Sequence, residues 1–475
     1  MAESYEAIVI GAGPNGLAAA IELARAGHSV LVLEAKDTIG GGARTEELTL
    51  PGFRHDVCSA IHPLGVLSPF FATVPLEKHG VEWIDPPLAL AHPLDDGTAG
   101  VLEPNLTKTA ERLGRDASEW RSLFEPFDDA EALFAELLRP IRIPKRPLLV
   151  AHFGLLGIAS AERIVGRFRE EHAKALFGGC AAHSFQPLEW VGTSSFGLVL
   201  AIAAHAKGWP FPQGGASAIT DALAAELRSL GGVIRTNEPV RSLASLREAA
   251  RAKAILFDVM PSALADIAGD ELPLSYAAAL RRYNRAPGVF KIDWALSGPI
   301  PWRARECAEA GTVHLGGSFE ELAASERAPH EHRHSQAPFV LLAQHTLFDR
   351  TRAPDDQHTA WAYCHVPNGS THDMTHAIEA QVERFAPGFR DLVLARHTFT
   401  TVDLERHNPN LLGGDVVGGE NDLTQTLARP LPRWDPYATP NPRLYLASSA
   451  TPPGGGVHGM CGYWAARSAL AKAFG

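Results

Sequence analysis

Gly11, Gly13 and Gly16, in the run Gly11-Ala12-Gly13-Pro14-Asn15-Gly16, have the spacing at which backbone amides cradle phosphate. In such a turn the first glycine permits the tight reversal, the second lets the backbone approach a pyrophosphate, and the third lets helix and strand pack closely. Glu34 can accept hydrogen bonds from a ribose hydroxyl, and its charge disfavours a 2′-phosphate and hence NADP. The surrounding residues supply the elements this chemistry needs. Ala7–Ile10 is a short apolar run with strand character, Leu17, Ile21 and Ala24 recur at helical spacing, and Gly27 stops the helix. Ser29–Leu33 then reads as a second buried strand that delivers Glu34 at its end. A glycine triplet alone would be an ordinary turn; strand, turn, helix, strand and acid together make a dinucleotide site.

Two further segments have the same character. In Gly40-Gly41-Gly42-Ala43-Arg44-Thr45, an arginine after a glycine loop can reach a cofactor phosphate or ribityl chain. Near the C-terminus, strand-like Leu444–Ala447 runs through Ser448-Ser449-Ala450-Thr451-Pro452-Pro453-Gly454-Gly455-Gly456-Val457-His458-Gly459 into an alanine-rich helix. Gly454, Gly456 and Gly459 repeat the glycine spacing, but too little chain follows to build a second nucleotide site. A helix N-terminus there can stabilise negative charge on the N1–C2=O edge of a reduced flavin.

With Trp209-Pro210-Phe211-Pro212-Gln213-Gly214-Gly215 and Gly232–Val240, these segments resemble the phytoene desaturase-like branch of the FAD-dependent amine oxidase superfamily over most of the chain, as a short relative of the carotenoid desaturases. The resemblance implies FAD as cofactor. It would be held by Gly11, Gly13, Pro14, Asn15 and Gly16; by Glu34 and Ala35; by Gly41, Gly42, Ala43 and Arg44; by Val240 beside the adenine; and by Ser449, Gly456, Val457 and His458 in the last turn. It also implies an α/β Rossmann-type FAD-binding domain made of 1–70, 205–270 and 412–475. A discontinuous α+β substrate domain, 71–204 and 271–411, would contain a mixed sheet. The family commonly has glycine followed by Asp or Glu where this chain has Ser448-Ser449, so a hydroxyl would replace that carboxylate near the ribityl phosphate.

The expected activity is hydride transfer between flavin and a largely apolar organic substrate, as a dehydrogenase, desaturase or oxidase. Amine oxidation and a noncatalytic escort that kept the fold are the alternatives. With one dinucleotide site and no CxxC among the five cysteines, NADH and NADPH should be poor direct reductants.

Residues 71–204 lean towards helix, while Val289–Leu296, Phe339–Thr346 and Trp361–Val366 read as strands. Alternation sets Lys291 and Asp293 on one face, opposite Phe290, Ile292 and Trp294, so the pair either faces a cavity or forms a structural ion pair. His62 and Lys291 are the candidates for receiving a substrate proton, and a structural role is open for each. Tyr363 and His365 share a strand face, where they line a pocket or fill the core. His330-Glu331-His332-Arg333-His334 fits HExxH, but Pro329 and Pro338 bracket a polar segment that suits a solvated loop; no metal site is expected.

A chain of 475 residues suits two domains, and a net charge of -11 speaks against a nucleic-acid partner. Scattered cysteines and the lack of a long apolar run lead us to expect a cytoplasmic protein. Arg139, Arg142, Lys145 and Arg146 adjoin Leu148–Val150 and Phe153–Leu156, either a peripheral membrane contact or helix core beside a solvated turn.

Overall fold

The computed structural model describes residues 4–475. Ala7–Ile10 is buried at every position and is the middle strand of a five-stranded parallel sheet. The order across that sheet is Leu444–Leu446, Ala254–Phe257, Ala7–Ile10, Val30–Leu33, Val233–Arg235. Burial on both faces explains why the central strands are unbroken apolar runs rather than alternating ones. The first helix, Pro14–Arg25, has proline where its missing N–H costs nothing, and packs on the last helix, Met460–Ala473. Gly462 makes that contact possible, since a Cβ there would overlap the Asn15 carbonyl. The first and last helices are thereby fixed over the same sheet.

The second sheet has seven strands, in the order Val393–Phe399, Gly288–Leu296, His358–Val366, Val340–Ala343, Ala310–Leu315, Leu88–Pro93, Ala99–Leu102. It is mixed: Ala310–Leu315 runs parallel to Leu88–Pro93, and the other neighbours are antiparallel. Phe290, Ile292 and Trp294 belong to an apolar cluster on one face, covered by the helix Thr375–Phe385 through Ile378, Val382 and Phe385. The opposite face carries Lys291, Asp293, Trp361, Tyr363, Thr312 and His314, in line with the alternation read from the sequence.

Some elements differ from the sequence reading. The strand expected over Phe339–Thr346 spans Val340–Ala343, because the Gln344 side chain turns to the Cys307 and Ala310 carbonyls and a 3₁₀ turn follows at His345–Leu347. Within the helix-leaning first segment, Leu88–Pro93 and Ala99–Leu102 form a hairpin whose turn places Gly97 at φ +85°.

Candidate functional site

A cavity of about 670 Å³ opens at the carboxyl ends of the parallel strands and continues to the polar face of the mixed sheet. Ligands of open α/β sheets bind at that end of the strands. Gly11, Gly13, Pro14 and Asn15 line it from the first turn, Glu34 and Ala35 from the end of the second strand, and Gly41, Gly42 and Arg44 from the glycine loop. Val240 stands on the wall near Glu238 and Arg241, and Ser449, Gly456 and Val457 close it from the C-terminal turn. His62 lines it too.

Glu34 is buried and already engaged. One carboxylate oxygen accepts the Ala12 N–H at 2.9 Å; the other accepts the Lys36 N–H at 2.9 Å and a weak contact from Arg44 at 3.4 Å. Free lone pairs remain for a hydroxyl. Arg44 spends its guanidinium on the Thr38 and Ile39 carbonyls and on Glu34, so it shapes the glycine loop while bordering the cavity.

Gly16, Ala43, His458 and Lys291 are not among the residues that line this cavity. Gly16 lies under the turn, where a Cβ would overlap the Gly11 carbonyl, and its N–H points to Asp258. Ala43 is fully buried within its loop. The His458 ring accepts the Met460 N–H at 3.0 Å, satisfying the first donor of the last helix, and its carbonyl accepts the Ser68 hydroxyl. The cavity therefore meets the turn Gly455–Val457 rather than the helix end. Lys291 pairs with Asp293, with its ammonium 5.7 Å from the Trp361 ring and 5.5 Å from Phe399; His55 Nδ1 approaches Asp293 at 3.6 Å. Burial draws both partners of that pair towards their neutral forms. Of the other strand pair, Tyr363 lines the cavity, whereas His365 contacts Glu326 at 2.6 Å and the Phe185 ring at 3.9 Å. His330 and His334 meet separate partners, the Phe185 carbonyl and the Ser370 hydroxyl, and left-handed His332 separates them, so HExxH lies on no common helix face.

His62 precedes the short helix Pro63–Val66 and is 2% exposed. Its Nε2 has no hydrogen-bond partner in the protein. Burial lowers its pKa to about 4, so the ring is neutral at physiological pH and able to accept a proton. The turn it opens packs on the C-terminal turn: a Cβ on Gly65 would lie 3.2 Å from the Val457 carbonyl.

Sequence reasoning missed Asp258, which lines the cavity immediately after the strand Ala254–Phe257. Its Oδ2 accepts the Gly16 N–H at 2.8 Å, and its main chain is held by Asn410. The available signal was its position, an acid at the end of a parallel strand as Glu34 is. Burial raises its pKa to about 7. The unfolded carboxyl ionises near 3.8, so the native protein retains a proton that the unfolded chain has released as pH rises from about 4 to 7. Stability falls through that window, and the full penalty applies above it. Asp258→Asn keeps an acceptor for Gly16 and never ionises. It should stabilise the apoprotein at pH 8 by roughly 2–4 kcal/mol, with the gain vanishing near pH 4. Melting curves at both pH values decide this; a pH-independent difference would refute the assignment.

Comparison with known proteins agrees with this geometry. Residues 9–73 match the NAD(P)-binding Rossmann-like domain family. A mouse protein, pyridine nucleotide-disulfide oxidoreductase domain-containing protein 2, is 28% identical over 96% of this chain and 92% of its own length. Hydroxyneurosporene desaturase of Cereibacter sphaeroides is 31% identical over 52% of each chain. The structure of wild-type putrescine oxidase bound to putrescine superposes with a TM-score of 0.61 at 18% identity, covering 99% of this chain and all of that one. The chain thus has a Rossmann-like fold with a mixed sheet, shared with oxidoreductase structures, and has amine oxidase and desaturase neighbours. Among the described residues no helix is long and apolar enough to cross a membrane.

Proposed function

We propose that this protein is an FAD-dependent oxidoreductase of the phytoene desaturase-like branch, moving hydride between flavin and a largely apolar organic substrate as a dehydrogenase, desaturase or oxidase. The observation that carries the reading is the continuity of one cavity. It runs from the glycine turn and Glu34 at one end to an apolar and aromatic wall of Leu200, Trp209, Leu341, Trp361 and Tyr363 at the other. In this reading 1–70, 205–270 and 412–475 hold the cofactor, and 71–204 with 271–411 hold the substrate.

The residues present fit FAD. A Cβ on Gly13 would sit 2.7 Å from Asp258, so only glycine leaves the backbone there open to a pyrophosphate, and the side-chain oxygen of buried Asn15 lacks a partner and can accept from a cofactor hydroxyl. Glu34 would hold the ribose, Val240 the adenine, and the backbone of Gly456 and Val457 the flavin edge. When bound, FAD supplies hydride acceptance at N5. The chain's own contribution is to exclude water, orient the substrate against that position, and receive a proton at His62 Nε2. Lys291, held by Asp293, is a positioning residue behind Trp361.

Denatured protein should release FAD, not FMN, in near-stoichiometric amount. In anaerobic stopped-flow experiments with a library compound that bleaches the flavin, His62→Ala should slow reduction by about 10²-fold at unchanged FAD content. FMN alone, or no flavin from protein that also refuses added FAD, would reject the cofactor. Bound FAD reduced by no compound favours the escort reading, and reduction by amines alone favours amine oxidation.

We also propose peripheral contact with a membrane. Ile143, Leu148 and Leu155 are 93%, 85% and 78% exposed beside exposed Arg142, Lys145 and Arg146, a combination that suits an anionic lipid surface. The helix Pro147–Gly157 packs on Thr193–Lys207, which contributes Leu200 to the cavity wall. The protein should co-sediment with phosphatidylserine-containing vesicles, and an Ile143→Asp/Leu155→Asp variant should stay in solution. Equal sedimentation of both would remove the proposal.

A further inference from the structure

Of the side chains that the mixed sheet gives the cavity wall, Thr312, Trp361 and Tyr363 carry polar atoms. Thr312 pairs in register with Ala343, and Ala343 with Trp361, so the three side chains form one row across adjacent strands on the same face. Trp361 and Thr312 both line the cavity, are 4% and 0% exposed, and are orphaned: neither Trp361 Nε1 nor Thr312 Oγ1 has a hydrogen-bond partner in the protein. Leu341 and Tyr363, paired in the next row, continue the wall. Ala343, between the two polar side chains in this row, offers only a methyl.

Buried polar groups are nearly always paired, and leaving one unpaired costs about 1–3 kcal/mol. The protein offers these two atoms nothing, and both side chains border the cavity, so its contents can supply their partner. An indole N–H is a donor only, so that partner must present an acceptor; an ammonium group, which offers donors alone, leaves Trp361 unpaired. A threonine hydroxyl adjusts to either role and can donate to an acceptor or accept from a hydroxyl.

We infer that Trp361 and Thr312 form a polar anchor for a neutral oxygen, and that the substrate is an apolar molecule bearing a carbonyl or hydroxyl group rather than an unsubstituted hydrocarbon. This rests on the proposed hydride transfer and narrows its substrate class. Removing the oxygen from a ligand leaves two buried groups unsatisfied, the situation in which hydrogen-bonding sites discriminate most strongly. Ordered water in the same place would satisfy the two atoms without any ligand preference, and the test separates the two cases.

The test uses a matched pair, 1-tetralone and tetralin, which share a carbon frame and differ in one carbonyl. Binding to the FAD-loaded full chain is followed by flavin difference spectra, and binding to the full chain without added FAD by ligand-dependent shifts in melting temperature. Flavin content, measured first, reports on the cofactor separately, so a chain lacking FAD contradicts the proposed function while the melting shifts still test the anchor. The ketone should bind about tenfold more tightly than the hydrocarbon. Thr312→Val, which deletes the polar atom and keeps the shape, and Trp361→Phe, which deletes the N–H together with some ring volume, should bring that ratio towards one; Thr312→Ser, which keeps the hydroxyl, should restore it. Equal affinities in the unmodified protein, a ratio unchanged in both variants, binding of neither compound, or tighter binding of 1-aminotetralin than of the ketone would each overturn the assignment.

Discussion

Gly13→Val should yield folded protein that retains no FAD, with affinity for added FAD lowered by about 10²-fold or more, roughly 3 kcal/mol. Even the first atom of a side chain at Gly13 meets the Asp258 carboxyl at 2.7 Å, and valine adds two methyl groups beyond it. The neighbouring glycine loop has no room to retreat: Gly41 takes φ +56°, and a Cβ there would lie 3.0 Å from the Gly13 Cα. The two turns are packed backbone against backbone, so bulk at Gly13 must point into the cavity, where a pyrophosphate would approach. Gly154→Ala is the control. It lies within a helix with nothing inside 4 Å of its would-be Cβ, and should leave flavin content unchanged while slightly raising stability. The flavin-to-protein absorbance ratio after gel filtration reads both, and a stoichiometric flavin in Gly13→Val would show that the turn does not carry the cofactor.

Gly11, Gly13 and Glu34 were legible because their signal is local: a strand, a turn and a helix within a few dozen residues, each with its own periodicity. Alternation likewise separated Lys291 and Asp293 from Phe290, Ile292 and Trp294. It could not say what would stand opposite the polar pair, because that depends on strands from elsewhere: Lys291 pairs with Tyr363 on one side and Phe399 on the other. His458 is a related case. A glycine-rich turn before a helix suggests free N–H groups, yet the imidazole two residues upstream of Met460 takes the first of them. The hairpin Leu88–Leu102 had a readable turn, Asp95-Asp96-Gly97, hidden within a segment whose overall composition favours helix. Asp258 and the Trp361–Ala343–Thr312 row become meaningful only when distant strands are brought side by side. Local patterns thus reveal the elements, while the substrate end of the cavity is built from pairings that no short window contains.

Arg352 is the extreme case of such long-range dependence, and Arg352→Met should cost about 3–5 kcal/mol of stability. Its side chain is fully buried. The guanidinium donates to Asp56 at 2.6 Å, to Asp349 at 2.9 Å and to the Pro212 carbonyl at 2.8 Å, and lies 5.3 Å from the Phe211 ring. Asp56 also accepts from Thr45 Oγ1 and the Ala216 N–H, both at 2.7 Å, and Asp349 from the Gly214 N–H at 2.7 Å. One cation therefore joins the Thr45–Asp56 hairpin to the Gly214–Ala216 loop and the 349–352 turn. Burial opposes ionisation of Asp56, but Arg352, His345 and the Ala216 N–H together hold its carboxyl well below the usual range; against the same burial, Asp349 is lowered by the Thr351 hydroxyl, the Gly214 N–H and Arg352. Methionine keeps the length and apolar volume while stranding two buried carboxylates. Because depressed carboxyl pKa values contribute stability above the unfolded pKa and lose it as pH falls, the gap between unmodified protein and variant should be full at pH 7 and narrow below about pH 4. Adding Asp56→Asn and Asp349→Asn to Arg352→Met should recover part of the loss by removing the stranded charges. The effect should reach the candidate site, since His345, 3.8 Å from Asp56, contacts the Ala60 carbonyl, two residues before His62. Urea unfolding at pH 7 and pH 4 measures the stability terms. A loss under about 1 kcal/mol at pH 7 would mean that the hydrogen bonds from Thr45, Ala216 and Gly214 suffice to hold both carboxylates without the cation.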